Sequence, residues 1–174
     1  VEQTNTGTRK DRVDLTFVID ESTKIFIKEI IITGNKTFKD GEIKKIISTS
    51  EKGWLSFITD SGLMNKEKLE QDATRIAAFY HNNGFVEAKI GEPEIVQEGE
   101  WFYVYFNINE GDRYKCGTVK LSGDLIVEED ILRKMLKVDQ EEFFSRMVLR
   151  KDVLRINDFY AEKGYAFAET QPQT

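Results

Sequence analysis

The sequence predicts an α+β fold in which one β-α-α-β-β module recurs in tandem. Each module is expected to be a three-stranded mixed sheet with two helices packed on one face. Three observations predict this. The first is a gapless internal match at a spacing of 89 residues, with Val13 to Asn35 falling on Phe102 to Asp124. Its apolar positions coincide: Val13, Leu15, Phe17 and Ile19 with Phe102, Val104, Phe106 and Ile108, then Ile25, Ile27, Ile30 and Ile32 with Tyr114, Cys116, Val119 and Leu121. The second is a match at a spacing of 80, where Leu69 to Phe85 falls on Leu149 to Tyr165 with identity at 7 of 17 positions. About one identity is expected by chance at average composition, so the chain is read as a repeat. The third is a change of hydrophobic period along each repeat, from two to about 3.6 and back.

The elements follow in order. Lys28 to Thr33 is short and β-branched, which predicts a strand, and Gly34-Asn35 punctuates it. Ile43, Ile46 and Ile47 fall at i, i+3 and i+4, which predicts an amphipathic helix entered through Asp40. Leu69, Ala73, Ile76 and Tyr80 predict a second helix, with Asn65 as its N-cap and Ser145 in the equivalent place of the second copy. Asn83-Gly84 and Lys163-Gly164 should end these helices, because glycine accepts the left-handed conformation. Val86, Ala88 and Ile90 alternate with Glu87 and Lys89, the pattern of a half-buried strand. Trp101 to Ile108 also alternates, with Phe102, Val104, Phe106 and Ile108 on one face. A sheet this small must cover one face with its helices.

Counting units divides the chain into three. Residues 1–22 hold the last hairpin of a preceding module, 23–112 a complete module, and 113–174 a following module that lacks its last strand. The chain is therefore expected to derive from a longer parent.

Composition limits the function. The 174 residues carry a formal net charge of −6, with 40% hydrophobic and 32% charged residues. No basic stripe marks a nucleic-acid surface; Lys44-Lys45 and Arg133-Lys134 sit among acids. An acidic module gains nothing from an anionic membrane surface, and no apolar run approaches the ~18 residues of a span. The polar first fifteen residues contain no apolar core of a signal peptide. A single cysteine, Cys116, excludes an intrachain disulfide and leaves the compartment open. Cys116 replaces Ile27 in the repeat and is read as a small buried hydrophobe.

No catalytic, cofactor or metal site is predicted. The single histidine, His81, ends a helix, where a cation suits the dipole. There is no Cys/His cluster. Glu128-Glu129-Asp130 and Glu141-Glu142 sit at expected helix starts. Arg75 and Arg155 repeat with Asp72 and Asp152 at i−3 and are read as helix-surface ion pairs.

The unit order, the pattern L-x-x-D-x-x-R-I-x-x-F-Y followed by a glycine turn, and the segment Asn107-Ile-Asn-Glu-Gly-Asp112 together resemble the POTRA domain array of outer-membrane β-barrel assembly proteins. The junction from Asn107 to Leu125 resembles the boundary between the third and fourth POTRA domains. The chain thus resembles the end of the second domain, all of the third and most of the fourth, and the Gly53 to Phe57 stretch resembles a tryptophan-bearing segment of the third. The resemblance implies a periplasmic scaffold in front of a C-terminal membrane β-barrel that is not part of this chain. Its implied partners are unfolded outer-membrane proteins and accessory lipoproteins. The POTRA region of a dedicated two-partner secretion barrel is the alternative.

One mechanism follows from the sheet itself. Two of three strands are edges, and an edge offers unpaired backbone groups to any extended chain. POTRA-like topology puts Trp101 to Ile108 in the centre, so Val86, Glu87, Ala88, Lys89 and Ile90 are expected to form the docking edge, ended by Pro93. The loop from Ser48 to Gly62 is longer than its counterpart and carries Trp54, Leu55 and Phe57. These either tuck against the module's own helices or form a protein-contact patch. Glu110, Gly111 and Asp112 are expected at the inter-domain joint.

Overall fold

The computed structural model describes residues 16–18, 25–53 and 62–173. Strand β1 (Ile27–Thr33) is followed by a short helix α1 (Asp40–Lys44) and a long helix α2 (Lys66–Asn82). Next come β2 (Lys89–Ile90), β3 (Glu94–Glu98) and β4 (Trp101–Asn109). The second repeat supplies α3 (Glu129–Arg133), a 3-10 turn (Val138–Gln140) and α4 (Arg146–Glu162). The expected order of strand, two helices and hairpin is thus observed in the first repeat.

Strand β4 is the centre of the sheet. It pairs in parallel with β1 on one side and antiparallel with both β2 and β3 on the other. The parallel neighbour is reached only by way of the helices, as a crossover requires. β2 and β3 are two halves of one edge, interrupted at Gly91 to Pro93 because proline has no N–H for a ladder. Strand alternation then decides burial. Val104, Phe106 and Ile108 face the helices and are buried, with Ile27, Ile30 and Ile32 of β1 beside them. Ile43, Leu69, Ile76 and Tyr80 close the core from the helical side. On the opposite face, Trp101, Tyr103 and Tyr105 stay half-buried.

Two expectations are corrected here. The first helix ends at Lys44, and Ile46 and Ile47 pack against the core from the turn that follows it. Residues 86 and 87 form a turn rather than a strand: the Ala88 N–H donates to the Phe85 carbonyl at 3.1 Å. Residues 166 and 167 form the same turn, with the Ala168 N–H donating to Tyr165 at 3.0 Å. The alternation imitates a strand because Val86, Ala88 and Ile90 are covered while Glu87 and Lys89 are exposed, whether or not the backbone is paired.

The helix ends obey the sequence. Asn65 accepts from the Lys68 N–H at 3.0 Å and Ser145 from Val148 at 3.4 Å. Gly84 and Gly164 leave the helices with φ of +92° and +93°.

The repeated Asp-Arg pair is not a surface pair. Asp72 is fully buried, and its carboxylate accepts from the Ser48 N–H, the Ser48 hydroxyl and the Thr49 N–H at 2.8, 3.0 and 2.8 Å. Arg75 covers it at 2.7 Å. Asp152 likewise accepts from the Lys137 and Val138 N–H groups at 2.7 and 2.8 Å, with Arg155 at 2.6 Å. Ser48 and Thr49 lie 89 residues before Lys137 and Val138, whereas Asp72 lies 80 before Asp152. The same clasp therefore joins the two repeat blocks across loops of different length. Burial alone would push the Asp72 carboxyl up. The hydrogen bonds from Ser48 and Thr49 outweigh it and hold the carboxyl below its usual range.

Candidate functional site

The two edges of the sheet are not equivalent. The outer side of β1 is taken up by the protein's own chain at Ile27 and at the Ile30 N–H. The Ile27 N–H donates to Gly62 and its carbonyl accepts from Lys52, at 2.7 and 2.8 Å. Phe26 bridges to Leu63, and the Ile30 N–H donates to the Glu51 carboxylate at 3.0 Å. Lys44 also reaches that carboxylate at 2.8 Å. Burial would raise the Glu51 carboxyl, but the bonds from Lys44 and Ile30 and the lysine charge hold it low. The backbone groups covered in this way are not free to pair with a guest strand.

Among the described residues, none pairs with the outer side of the other edge. Which groups it presents follows from β4. The Phe102 N–H donates to Phe26 on the β1 side, and the Asn107 carbonyl accepts from Gly91 on the β2 side. Even-numbered residues of β4 thus bond toward β1 and odd-numbered ones toward β2 and β3. Glu94 pairs with Tyr105, Val96 with Tyr103 and Glu98 with Trp101, so these three bond inward. Ile95 and Gln97 direct their N–H and C=O groups away from the sheet. All five residues of β3 are exposed. Beside this edge, a groove of about 170 Å³ is lined by Lys66, Leu69, Glu70, Glu92, Pro93 and Ile95.

The residues expected on the docking edge are therefore divided. Lys89 and Ile90 form the short strand β2. Val86, Glu87 and Ala88 lie in the turn before it, with Ala88 buried. Pro93 interrupts the edge but does not end it, because β3 continues beyond it. Trp54, Leu55 and Phe57 lie outside the described residues.

The joint is more extensive than its sequence suggested. Glu110 belongs to the interior of the first module, where its carboxylate accepts from the Lys36 and Thr37 N–H groups, the Thr37 hydroxyl and the Tyr80 hydroxyl, at 2.8 to 3.0 Å. Burial opposes its charge, yet these four donors keep its carboxyl low. Burial and the adjoining carboxylate push the Tyr80 hydroxyl far up. Gly111 then turns the chain at φ +69° against Glu87, and Asp112 is exposed.

Beyond Gly111 the contacts cross to the second repeat. The Tyr114 N–H donates to Gly84 and its carbonyl accepts from Phe144, at 2.8 and 3.0 Å. Arg113 donates to the Asn83 carbonyl at 2.8 Å and lays its guanidinium over Phe143 at 3.3 Å. Such stacking contributes about 0.5–1 kcal/mol at an exposed site. The Met147 N–H, an orphan donor of the first turn of α4, is satisfied by Asn82 Oδ1 at 2.8 Å. Arg146 donates to the Val86 carbonyl at 2.9 Å and contacts His81. Sequence reasoning missed Arg113, Arg146, His81 and Asn82, because their partners lie 30 to 65 residues away. Cys116, expected to be buried, is half-buried; burial and then Asp139 and Asp152 push its thiol up.

The described residues hold no group of three His, Cys, Asp or Glu side chains that could bind a metal, and no helix among them is long and apolar enough to cross a membrane.

Comparison with known proteins gives a consistent result. The POTRA family model, described as a surface antigen variable number repeat, matches residues 25–111 and 114–174. The outer membrane protein assembly factor BamA of Nitratidesulfovibrio vulgaris is 35% identical over 160 residues, which cover 90% of this chain and 20% of that protein. BamA of Neisseria meningitidis serogroup B is 27% identical over 167 residues, covering 94% and 21%. The chain thus spans about a fifth of the length of these relatives. Among solved structures, Haemophilus influenzae BamA POTRA3-5 superposes with a TM-score of 0.67 at 19% identity, covering 86% of this chain and 59% of that one. Haemophilus ducreyi BamA lacking POTRA domains 1–3 gives 0.57 at 19% identity, over 78% and 24%. These likenesses show the fold.

Proposed function

This chain belongs to the POTRA family, a non-enzymatic one, and from that premise we propose that it is a stretch of the periplasmic scaffold of an outer-membrane protein assembly factor whose β3 edge receives extended polypeptide. The observation that carries the proposal is the asymmetry of the edges. The β1 edge is bonded to the protein's own loop, and the β3 edge offers Ile95 and Gln97 beside an open groove.

Magnitudes favour transient holding. Two outward residues offer an N–H and a C=O each. At about 1 kcal/mol net per hydrogen bond, the edge contributes about 4 kcal/mol, which the cost of association largely offsets, so the edge alone holds a guest weakly. Apolar contact with Ile95, Leu69 and Pro93 tightens this without fixing guest sequence. A weak, sequence-tolerant site suits a scaffold that passes on many unfolded outer-membrane proteins, and a folded accessory lipoprotein with a free strand is a second class of guest.

The test is a pair of proline variants. Gln97→Pro removes an outward donor and spares the ladder, so it should weaken binding of an unfolded β-barrel peptide at least fivefold in a titration, with an unchanged circular dichroism spectrum. Val96→Pro removes an inward bond and should lower the melting temperature. A folded Gln97→Pro protein that binds the peptide with wild-type affinity would sink the proposal.

A further inference from the structure

Resting on the reading of β3 as a docking edge, we infer that this edge selects among guests by charge pattern. It prefers an extended strand with basic residues at positions i and i+4 and apolar residues between them. The pattern comes from the register of β3 on β4. Residues directly opposite each other in a ladder share one face of the sheet. Ile95 pairs with Val104, which is buried against the helices, so Ile95 stands on the helical side, where it lines the groove with Leu69 and Pro93. Glu94, Val96 and Glu98 pair with Tyr105, Tyr103 and Trp101, so all three stand on the opposite, open face.

A guest strand laid along β3 continues both rows. Its side chains beside Ile95 enter the apolar groove. On the open face it meets a carboxylate, then the Val96 side chain, then a second carboxylate, each two residues from the last. That order is the same read from either end, so the preference holds for a guest of either direction.

The two carboxylates have little internal cation to face. Residues 90–112 carry six acidic side chains and no lysine or arginine. Among the described residues, neither Glu94 nor Glu98 takes part in a salt bridge. Glu94 accepts from Asn107 Nδ2 at 3.0 Å through one oxygen. Lys28 and Lys52 lie over the Trp101 ring, at 4.6 and 5.1 Å from its centre, rather than against Glu98. Opposite charges directly across a ladder strengthen a pairing by roughly 1.4- to 5-fold, and like charges weaken it. Two such positions separate a lysine-bearing guest from a glutamate-bearing one by about tenfold. The edge is thus tolerant of guest sequence but graded by guest charge.

The test titrates the isotope-labelled whole chain with blocked peptides at low salt and follows the backbone amide shifts of Ile95 and Gln97. The peptides are Lys-Val-Val-Val-Lys, Glu-Val-Val-Val-Glu and Lys-Lys-Val-Val-Val. The first should bind about tenfold more tightly than the second. The third has the composition of the first, but adjacent residues alternate faces, so it sets one lysine on the open face and should bind roughly twofold or more weakly than the first. The double variant Glu94→Lys with Glu98→Lys should reverse the order of the first two peptides. Glu94→Gln with Glu98→Gln, which keeps an acceptor for Asn107, should bind them equally. Both positions are exposed, and circular dichroism checks that each variant is folded. If the lysine peptide shifts these amides no more tightly than the glutamate peptide, the charge preference is overturned and the docking edge stands. A lysine preference that survives in the Glu94→Lys, Glu98→Lys protein also overturns it, because the net charge of −6 would then be its source. If no peptide shifts Ile95 and Gln97, the docking edge and the preference both fall.

Discussion

The two repeats share their helices but not their sheet, and the difference separates what a repeat encodes locally from what it needs a partner to express. Both repeats have the buried aspartate clasp, the side-chain N-cap, the positive-φ glycine and the same turn after it. Only the first has a ladder. Tyr114 to Leu121, the counterpart of β1, forms no strand. β1 exists by pairing with β4, and no described residue pairs with its counterpart in the second repeat. Caps and clasps close over short stretches of chain, whereas a strand is defined by its neighbour.

Paired substitutions test this contrast, and the largest effect is expected at Gly34. Gly34 has φ +79°, and a methyl group there would overlap the Ile108 carbonyl of β4. Gly34→Ala should cost about 4 kcal/mol or more in urea unfolding. Gly123→Ala, the same step in the second repeat, meets open space and should cost only about 1 kcal/mol of left-handed strain. Equal losses would mean that the sheet is not what separates the repeats.

Next comes the clasp. Asp72→Ala strands the N–H groups of Ser48 and Thr49, the second of them buried, and should destabilise by about 3 kcal/mol. Asp152→Ala should expose the Lys137 and Val138 amides to hydrogen exchange. The Asp72 carboxyl is held low in the folded state, so its contribution is complete above the ordinary carboxylate range and is lost as pH falls through that range and below it. Asp72→Asn should therefore flatten the acid limb of the stability profile.

A smaller difference is expected at the helix exits. An alanine at Gly84 would press on the Tyr114 carbonyl at 2.8 Å and on Phe143, both in the second repeat. Gly84→Ala should cost about 2 kcal/mol and broaden the joint, against about 1 kcal/mol for Gly164→Ala, which faces nothing within 4 Å. Comparable in size, Glu110→Gln keeps the shape and an accepting oxygen but loses the charge and the acceptor facing the Thr37 hydroxyl, and should lower stability by about 1–2 kcal/mol in urea unfolding.

What could be read from the sequence follows the same division. The repeat, the long helices, Asn65, Ser145 and the two exit glycines were legible because their cause lies within a few residues. Asp72 was misread because Arg75 at i+3 explained it locally, while the donors that bury it are Ser48 and Thr49. Residues 86 and 87 read as strand because inside–outside alternation from Val86 to Ile90 persists through the turn. Pro93 reads as the end of the usable edge, and only the register with β4 shows that a paired strand continues beyond it to Glu98. The joint was hardest, because its contacts depend on how the two repeats meet.

The break at Gly91 to Pro93 and the glutamates around it bear on solubility. A surface that welcomes extended chains should also welcome its own copy, and long flat edges seed aggregates. Here the open run is cut to five residues and carries Glu94 and Glu98, with Glu92 just before it. Two such edges laid antiparallel about Val96 would set Glu94 of each against Glu98 of the other, like charges facing across the seam. A neutral or basic guest meets no such opposition. Glu94 and Glu98 would thus oppose self-pairing of this edge while leaving the proposed docking of a foreign chain unopposed.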